Sequence, residues 1–357
     1  MATLLLHTTN PMTTILAIGD PHFKVDNIEE SEHFLLQVQQ WLVNNRVDSV
    51  VILGDVLHSH EKIFTFALNM ALKFIKMCAS FCTTYCMVGN HDATSNTIYC
   101  TSNHWMSVLN HIDNVVVVEK PLWMNDQVLL CPYVSDGLFK KMLDEFAPDY
   151  KKAKLIFAHQ LFDGAQMGSM VATGVEVWDA GLPQIISGHL HDRQQPQPNL
   201  YYAGSSQQLA FNERSDKSLA KVTVNLDGGV KWEETFLTLR LRKVVTTNVA
   251  GVPAEMVKIK AKPLVTFKVI VKDTDAALKT FKKTVKLKEL SELTNVVSVQ
   301  YKVLVEQDEE MKEADAELDF MSLLKERVDK EGDPYLTSYM MSCLTNSEDK
   351  SDKDVEL

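Results

Sequence analysis

Five short apolar runs in the first 190 positions each stop abruptly at polar residues of the same few kinds. The run over 14–19 leads into Asp20 and His22, that over 49–54 into Asp55 and His58, and that over 83–89 into Asn90, His91 and Asp92. The run over 154–158 ends at His159, and that over 183–187 at Gly188, His189 and His191. Near-continuous apolar stretches of this length predict strands buried on both faces, with helices packed on either side of their sheet. Stretches over 30–45, 61–80, 97–111 and 136–147 supply those helices. Side chains just beyond the carboxyl ends of neighbouring parallel strands meet at one edge of an α/β sheet. Polar residues far apart in the chain are therefore expected to share one cleft.

The pattern changes after residue 198. Two runs, 219–226 and 230–239, predict a pair of strands turning at Asp227, Gly228 and Gly229, which closes a first domain over 13–240. A strand over 264–272, a lysine-rich helix over 274–292 and a strand over 296–306 predict a small βαβ domain over 241–308. An acidic linker, 309–315, leads to two short amphipathic segments within 316–344, and 345–357 reads as a charged, frayed tail. Residues 1–12 form an extension before the first strand, with Met12 as an alternative start. The helix over 62–81 is apolar on more than one face, with Phe64, Phe66, Leu68, Met70, Leu72, Phe74, Ile75 and Met77, which exceeds the need of one sheet contact.

Composition narrows the class. With 357 residues, 45% hydrophobic and 23% charged, the chain is neither disordered nor fibrous. No apolar run approaches a membrane span, and the amino terminus lacks a signal-peptide pattern, so a soluble, intracellular protein is expected (cytoplasmic, or nuclear in a eukaryotic host). The six cysteines lie mostly inside apolar runs, which predicts reduced core thiols. The net charge of −11 conceals a segmented distribution: residues 240–290 carry 13 basic and 4 acidic side chains between two acidic segments. A concentrated basic segment argues for polyanion binding more strongly than the average argues against it. Lys258, Lys260, Lys262, Lys282, Lys283 and Lys286 are its candidate contacts.

Each polar block alone is weak, since an Asp-x-His after a strand is usually a turn. Together they hold six of the eleven histidines, and mixed imidazole and carboxylate donors at five strand ends predict a centre for two metal ions. That donor mix suits Mn²⁺, Fe²⁺ or Zn²⁺ better than Ca²⁺ or Mg²⁺. Asp20, His22, Asp55 and His191 can serve one ion and Asp55, Asn90, His159 and His189 the other, with Asp55 shared. Neutral Asn90 in place of a third carboxylate keeps such a centre positive enough to attract a phosphodiester. His91, left outside the ligand set, is the candidate general acid. His58 is expected to orient His91 or the phosphate, and Asp92 is grouped with these two as a catalytic candidate.

These blocks resemble those of the calcineurin-like metallophosphoesterases, and within them the SbcD-type double-strand-break repair nucleases and their phage counterparts. Gly54-Asp55-x-x-His58 carries histidine where the superfamily's protein phosphatases differ, and Tyr202-Ala203-Gly204-Ser205-Ser206-Gln207-Gln208-Leu209 resembles a nuclease segment. The resemblance implies a sandwich of sheets flanked by helices, with a small βαβ capping domain and a C-terminal helical tail. It implies a two-metal, Mn²⁺-dependent 3′ to 5′ exonuclease and single-strand endonuclease that processes DNA ends beside a coiled-coil ATPase of the SbcC type. A cyclic-nucleotide or small-molecule phosphodiesterase on the same fold is the alternative. The family's arrangement further implies a homodimer through 62–81 and 97–112, and ATPase docking through 316–344, where Phe320, Leu323, Leu324, Tyr335, Tyr339 and Met340 supply apolar stripes.

Overall fold

The computed structural model describes residues 12–60, 62–93, 99–168 and 170–304. Of the extension expected over 1–12 all but Met12, which opens the first strand, lies outside the described residues, as do the linker, both ATPase-docking segments, the tail and positions 97 and 98 of the second dimer segment. The described residues fall into two compact units, 12–271 with 284–300, and 272–283 with 301–304.

All five apolar runs are strands, each buried along most of its length. β1 (Met12–Ile18), β2 (Ser49–Ile52), β3 (Thr83–Met87) and β4 (Val115–Val118) form parallel neighbours in one sheet. The chain then enters a second sheet through β5 (Leu122–Trp123), β6 (Val128–Cys131) and β7 (Leu155–Ala158). After a short hairpin, β8 (Gln166–Met167) with β9 (Met170–Val171), it continues through β10 (Gln184–Ser187), β11 (Gln194–Gln197) and β12 (Leu200–Tyr202). β13 (Ser218–Asn225) and β14 (Val230–Phe236) return antiparallel to the first sheet, turning at Gly228 in the left-handed region as the Asp227-Gly228-Gly229 pattern requires. The orders are β14-β13-β1-β2-β3-β4 and β11-β12-β10-β7-β6-β5.

The two sheets flanked by helices form the sandwich that the resemblance implies, whereas the apolar runs by themselves predict only helices on either side of one sheet. Ile15, Ala17, Val51, Leu53 and Met87 of the first sheet pack with Phe157, Leu155, Ile186 and Tyr201 of the second in one buried cluster. Helices α1 (Ile28–Asn44) and α2 (Thr65–Ala79) bury Phe34, Trp41, Phe74 and Ile75 on the outer face of the first sheet. Helix α3 (Phe139–Phe146) supplies Phe139, Met142 and Leu143 to the outer cluster of the second. An apolar run records burial on both faces but cannot say whether a helix or another sheet covers each one. The described part of the 97–111 stretch is also different: Trp105–His111 is a 3₁₀ segment.

Beyond the sandwich, β15 (Leu241–Thr247) runs parallel to β16 (Val265–Asp273), joined by α4 (Val252–Lys260); neither β15 nor α4 was predicted. The helix expected over 274–292 is two pieces, α5 (Asp275–Phe281) and α6 (Val285–Ser291). Each starts after a threonine in extended conformation, and Thr274 caps α5 by accepting from the Ala277 amide. β17 (Val296–Val303) completes a three-stranded sheet in the order β15-β16-β17. Cys78, Cys82, Cys86, Cys100 and Cys131 are free thiols, as their apolar surroundings predict. Among the described residues no helix is long and apolar enough to cross a membrane.

Candidate metal centre

The carboxyl ends of β1, β2, β3, β7 and β10 point the same polar blocks at one place. Beside a third group of His22, His58 and His91, two triads of expected ligands form there: Asp20, His22 and His191, and Asp55, His159 and His189, each with donor atoms within 4.8 Å of one another. Asp55 stands between them, its Oδ2 3.5 Å from His22 Nε2 and 3.3 Å from His159 Nε2. Asn90 Oδ1 lies 3.0 Å from both His159 Nε2 and His189 Nδ1. The seven residues expected as ligands are thus gathered into two adjoining groups.

The backbone is bent to make this possible. His22, Asp55 and His189 all have positive φ, at 45°, 49° and 78°, a conformation that costs a non-glycine residue free energy and concentrates at functional sites. Glycines make room: a Cβ on Gly19 would overlap the Gly204 carbonyl oxygen, and one on Gly89 would overlap the Asp55 carboxylate. The segment 202–209 braces these turns. Ser206 Oγ donates to Gly19 O at 2.7 Å, and Gln207 Nε2 to Pro21 O at 2.9 Å.

The donors have the chemistry of a cation site. Asp20 Oδ1 is buried without a hydrogen-bond partner, and His191 Nε2 faces His22 Nε2 at 3.0 Å, so an unpaired carboxylate oxygen and two imidazole nitrogens converge in one triad. Burial drives His189 down to about 3 and His22 well below the usual histidine range, which leaves both as neutral imidazoles. Burial also opposes charge on His159, yet the carboxylates of Asp55 and Asp20 outweigh it and lift His159 to about 9. A proton there supplies positive charge between two acids where a metal ion would supply more. His159 Nδ1 donates to Leu53 O at 2.7 Å, which turns Nε2 toward the cluster. These clusters can therefore hold divalent ions.

Glu213, absent from the predicted site, is the outer partner of His191. Its Oε1 accepts from His191 Nδ1 at 2.9 Å, and its Oε2 accepts from the Leu209 amide at 2.8 Å and from Lys217 Nζ at 3.3 Å. Burial disfavours its charge, but the His191 hydrogen bond and the Lys217 ammonium hold it down at about 2. Lys217 is itself buried, with Nζ 2.9 Å from His191 O and 2.8 Å from Ser205 Oγ. No sequence motif marks Glu213, because its role depends on a loop folding back behind the ligand. Glu213→Ala is expected to weaken binding at one of two metal positions by about 10- to 100-fold, with Glu213→Gln, which keeps an acceptor, losing less. Chelator-competition titrations of the purified variants measure this; equal affinity in wild type and Glu213→Ala would remove the assignment.

The catalytic candidates separate. His91 Nδ1 lies 2.6 Å from the His58 carbonyl oxygen, which leaves Nε2 free, and its amide donates to Asp55 Oδ1 at 2.8 Å. The contact between His58 and His91 runs through the His58 backbone oxygen, and the two rings stack with centroids 5.7 Å apart. Asp92, a catalytic candidate by its block, is tied into the backbone. Its carboxylate is buried and accepts from the amides of Val56, Leu57 and Gly89 and from Trp105 Nε1, so it holds the loops bearing Asp55 and Asn90. Of the candidate DNA contacts, Lys258, Lys260, Lys262, Lys282, Lys283 and Lys286 are all exposed; Lys258 pairs with Glu255, and Lys282 lies over the Tyr301 ring.

A cleft of about 520 Å³ opens beside the triads, lined by Lys24, His58, Met167, His189, His191 and Asn212 among others. Residues 13–193, which include every candidate ligand, match the family model of calcineurin-like phosphoesterases. The chain is 40% identical over 215 residues to "Putative phosphoesterase 244L" of Invertebrate iridescent virus 6, covering 59% of this chain and 76% of that protein. It is 31% identical over 338 residues to "Putative phosphoesterase 078R" of Invertebrate iridescent virus 3, covering 93% of this chain and 96% of that protein.

Proposed function

The chain belongs to the calcineurin-like phosphoesterase family, and on that premise we propose that it is a DNA phosphodiesterase, Mn²⁺-dependent, that trims DNA ends and cuts single strands. The observation that carries the reading from phosphoester to DNA is the concentration of basic residues at 240–290, with its six candidate lysines exposed, on a chain whose net charge is −11. A small phosphodiester needs no such segment; a strand of phosphates does. Asp20, His22, Asp55 and His191 would hold one ion, and Asp55, Asn90, His159 and His189 the other. Ions bound there supply Lewis acidity and a water of lowered pKa. The chain's own residues do the rest: His91 Nε2 hands a proton to the departing oxygen, the His58 carbonyl keeps that ring in its tautomer, and Glu213 fixes the plane of His191.

Two assembly features belong to the same reading. Ile63, Phe64 and Phe66 are about half exposed or more, at 50%, 48% and 68%, which supports a homodimer through the start of α2. An SbcC-type ATPase would engage 316–344. The test of the core proposal is cleavage of linear duplex and single-stranded DNA with Mn²⁺, beside bis-p-nitrophenyl phosphate. Hydrolysis of the small ester alone would replace DNA with a small-molecule substrate.

A further inference from the structure

Resting on the DNA reading above, we infer that the β8–β9 hairpin is a nucleobase-contacting element that engages bases next to the scissile phosphate. Gln166, Met167 and Gly168 form one wall of the cleft whose floor includes His189 and His191. Met167, Met170 and Val171 are exposed at 41%, 66% and 54%, so one short hairpin presents three apolar side chains, of which Met167 lines the cleft and Met170 is its cross-strand partner.

The hairpin is held in place. Its base residues Ala165 and Ala172 are buried with Phe162 in the outer core cluster, joined by a hydrogen bond from the Ala172 amide to Ala165 O at 2.8 Å. Gln194, three residues past His191, clamps the hairpin's edge: its Oε1 accepts from the Gln166 amide at 2.7 Å, and its Nε2 donates to Gln166 O at 2.8 Å. The same side chain donates to Asp192 O at 3.4 Å, which ties the hairpin to the loop carrying two ligands. An apolar tip on a rooted support is preorganised for contact rather than collapse.

Charge decides what it contacts. Positions 164–175 contain no charged residue, although 23% of the chain is charged. Phosphates are gripped by Lys, Arg and amide donors, and this hairpin presents thioether and aliphatic surface instead. Beside a phosphodiester site the complementary group is the flat face of a base, against which methionine sulfur and methyl groups pack well. Since paired bases in duplex expose their edges and not their faces, such a contact favours single strands and frayed ends.

The experiment compares Met167→Ser/Met170→Ser with wild type on a single-stranded oligonucleotide and on an abasic oligonucleotide of the same length, with Mn²⁺. Wild type is expected to favour the base-bearing strand by about 10-fold or more in kcat/KM, and the double variant to lose that preference, while its metal content matches wild type. A wild type that cleaves both strands equally, or a variant that keeps the preference, would overturn the hairpin's role and leave the nuclease reading standing. A wild type that hydrolyses bis-p-nitrophenyl phosphate but neither strand would remove the DNA reading and this inference with it.

Discussion

Replacing His91 with alanine is expected to lower kcat on an oligonucleotide by about 10²- to 10⁴-fold while both metal positions stay filled. The ring lies outside the two triads of expected ligands, although it shares a third donor group with His22 and His58, and its Nδ1 is engaged by the His58 carbonyl at 2.6 Å, so Nε2 is the nitrogen that can meet a reacting oxygen. Burial pushes its pKa below the ordinary histidine value, and an incoming phosphate anion draws the proton back onto Nε2 where it is needed. The leaving group provides the discriminating readout. A deoxyribose oxygen departs poorly as an alkoxide, whereas p-nitrophenolate leaves without a proton. The variant should therefore lose far more rate on the oligonucleotide than on bis-p-nitrophenyl phosphate. Equal losses on both substrates would mean that His91 binds phosphate without transferring a proton, and loss of metal would make it a ligand.

How much of this was legible before the fold was known depends on where the relevant force acts. The strand ends were legible because burial and turn chemistry are local: an apolar run followed by Gly-Asp or Gly-His announces both a strand and its end. Asp20, Asp55 and Asn90 share one edge because β1, β2 and β3 are parallel neighbours, and His159 and His189 share another after β7 and β10; that the two edges meet depends on how the sheets pack. The pairing of two sheets did not follow, because Val51 facing Leu155 and Ile186 reads the same as Val51 facing a helix. Asp92 shows a limit of the opposite kind. It sits in the densest polar block of the chain, yet its four donors are backbone amides and an indole that sequence spacing cannot place. Glu213 was invisible for the complementary reason, since a carboxylate in an unremarkable loop gains its role only from the neighbour it meets. β15 and α4 were missed because both are amphipathic and rich in charged or exposed residues, so neither shows the continuous apolar run that marked the sandwich strands.

Asp55→Asn is expected to leave about one metal equivalent per chain at most and to abolish cleavage. Asp55 is the residue whose carboxylate lies within 3.5 Å of an imidazole from each triad, His22 and His159, so its charge is shared by both positions. Asparagine keeps the size and an oxygen that can still accept from the His91 amide, which makes the lost charge, and not a collapsed loop, the cause. The metal-free protein offers an independent check through pH. Asp55 and Asp20 raise His159 to about 9 in the folded chain, above its unfolded value near 6.5. A raised folded pKa contributes stability that is fully present below the unfolded value and is lost as pH climbs through the folded one. Chelated wild type should therefore show a falling melting temperature between about pH 6.5 and 9, and Asp55→Asn, lacking the main charge that holds the proton on His159, should show a shallower fall. Two full metal equivalents in the variant would show that the two positions do not depend on a shared carboxylate, and an unchanged pH slope would show that Asp55 is not what holds the proton on His159.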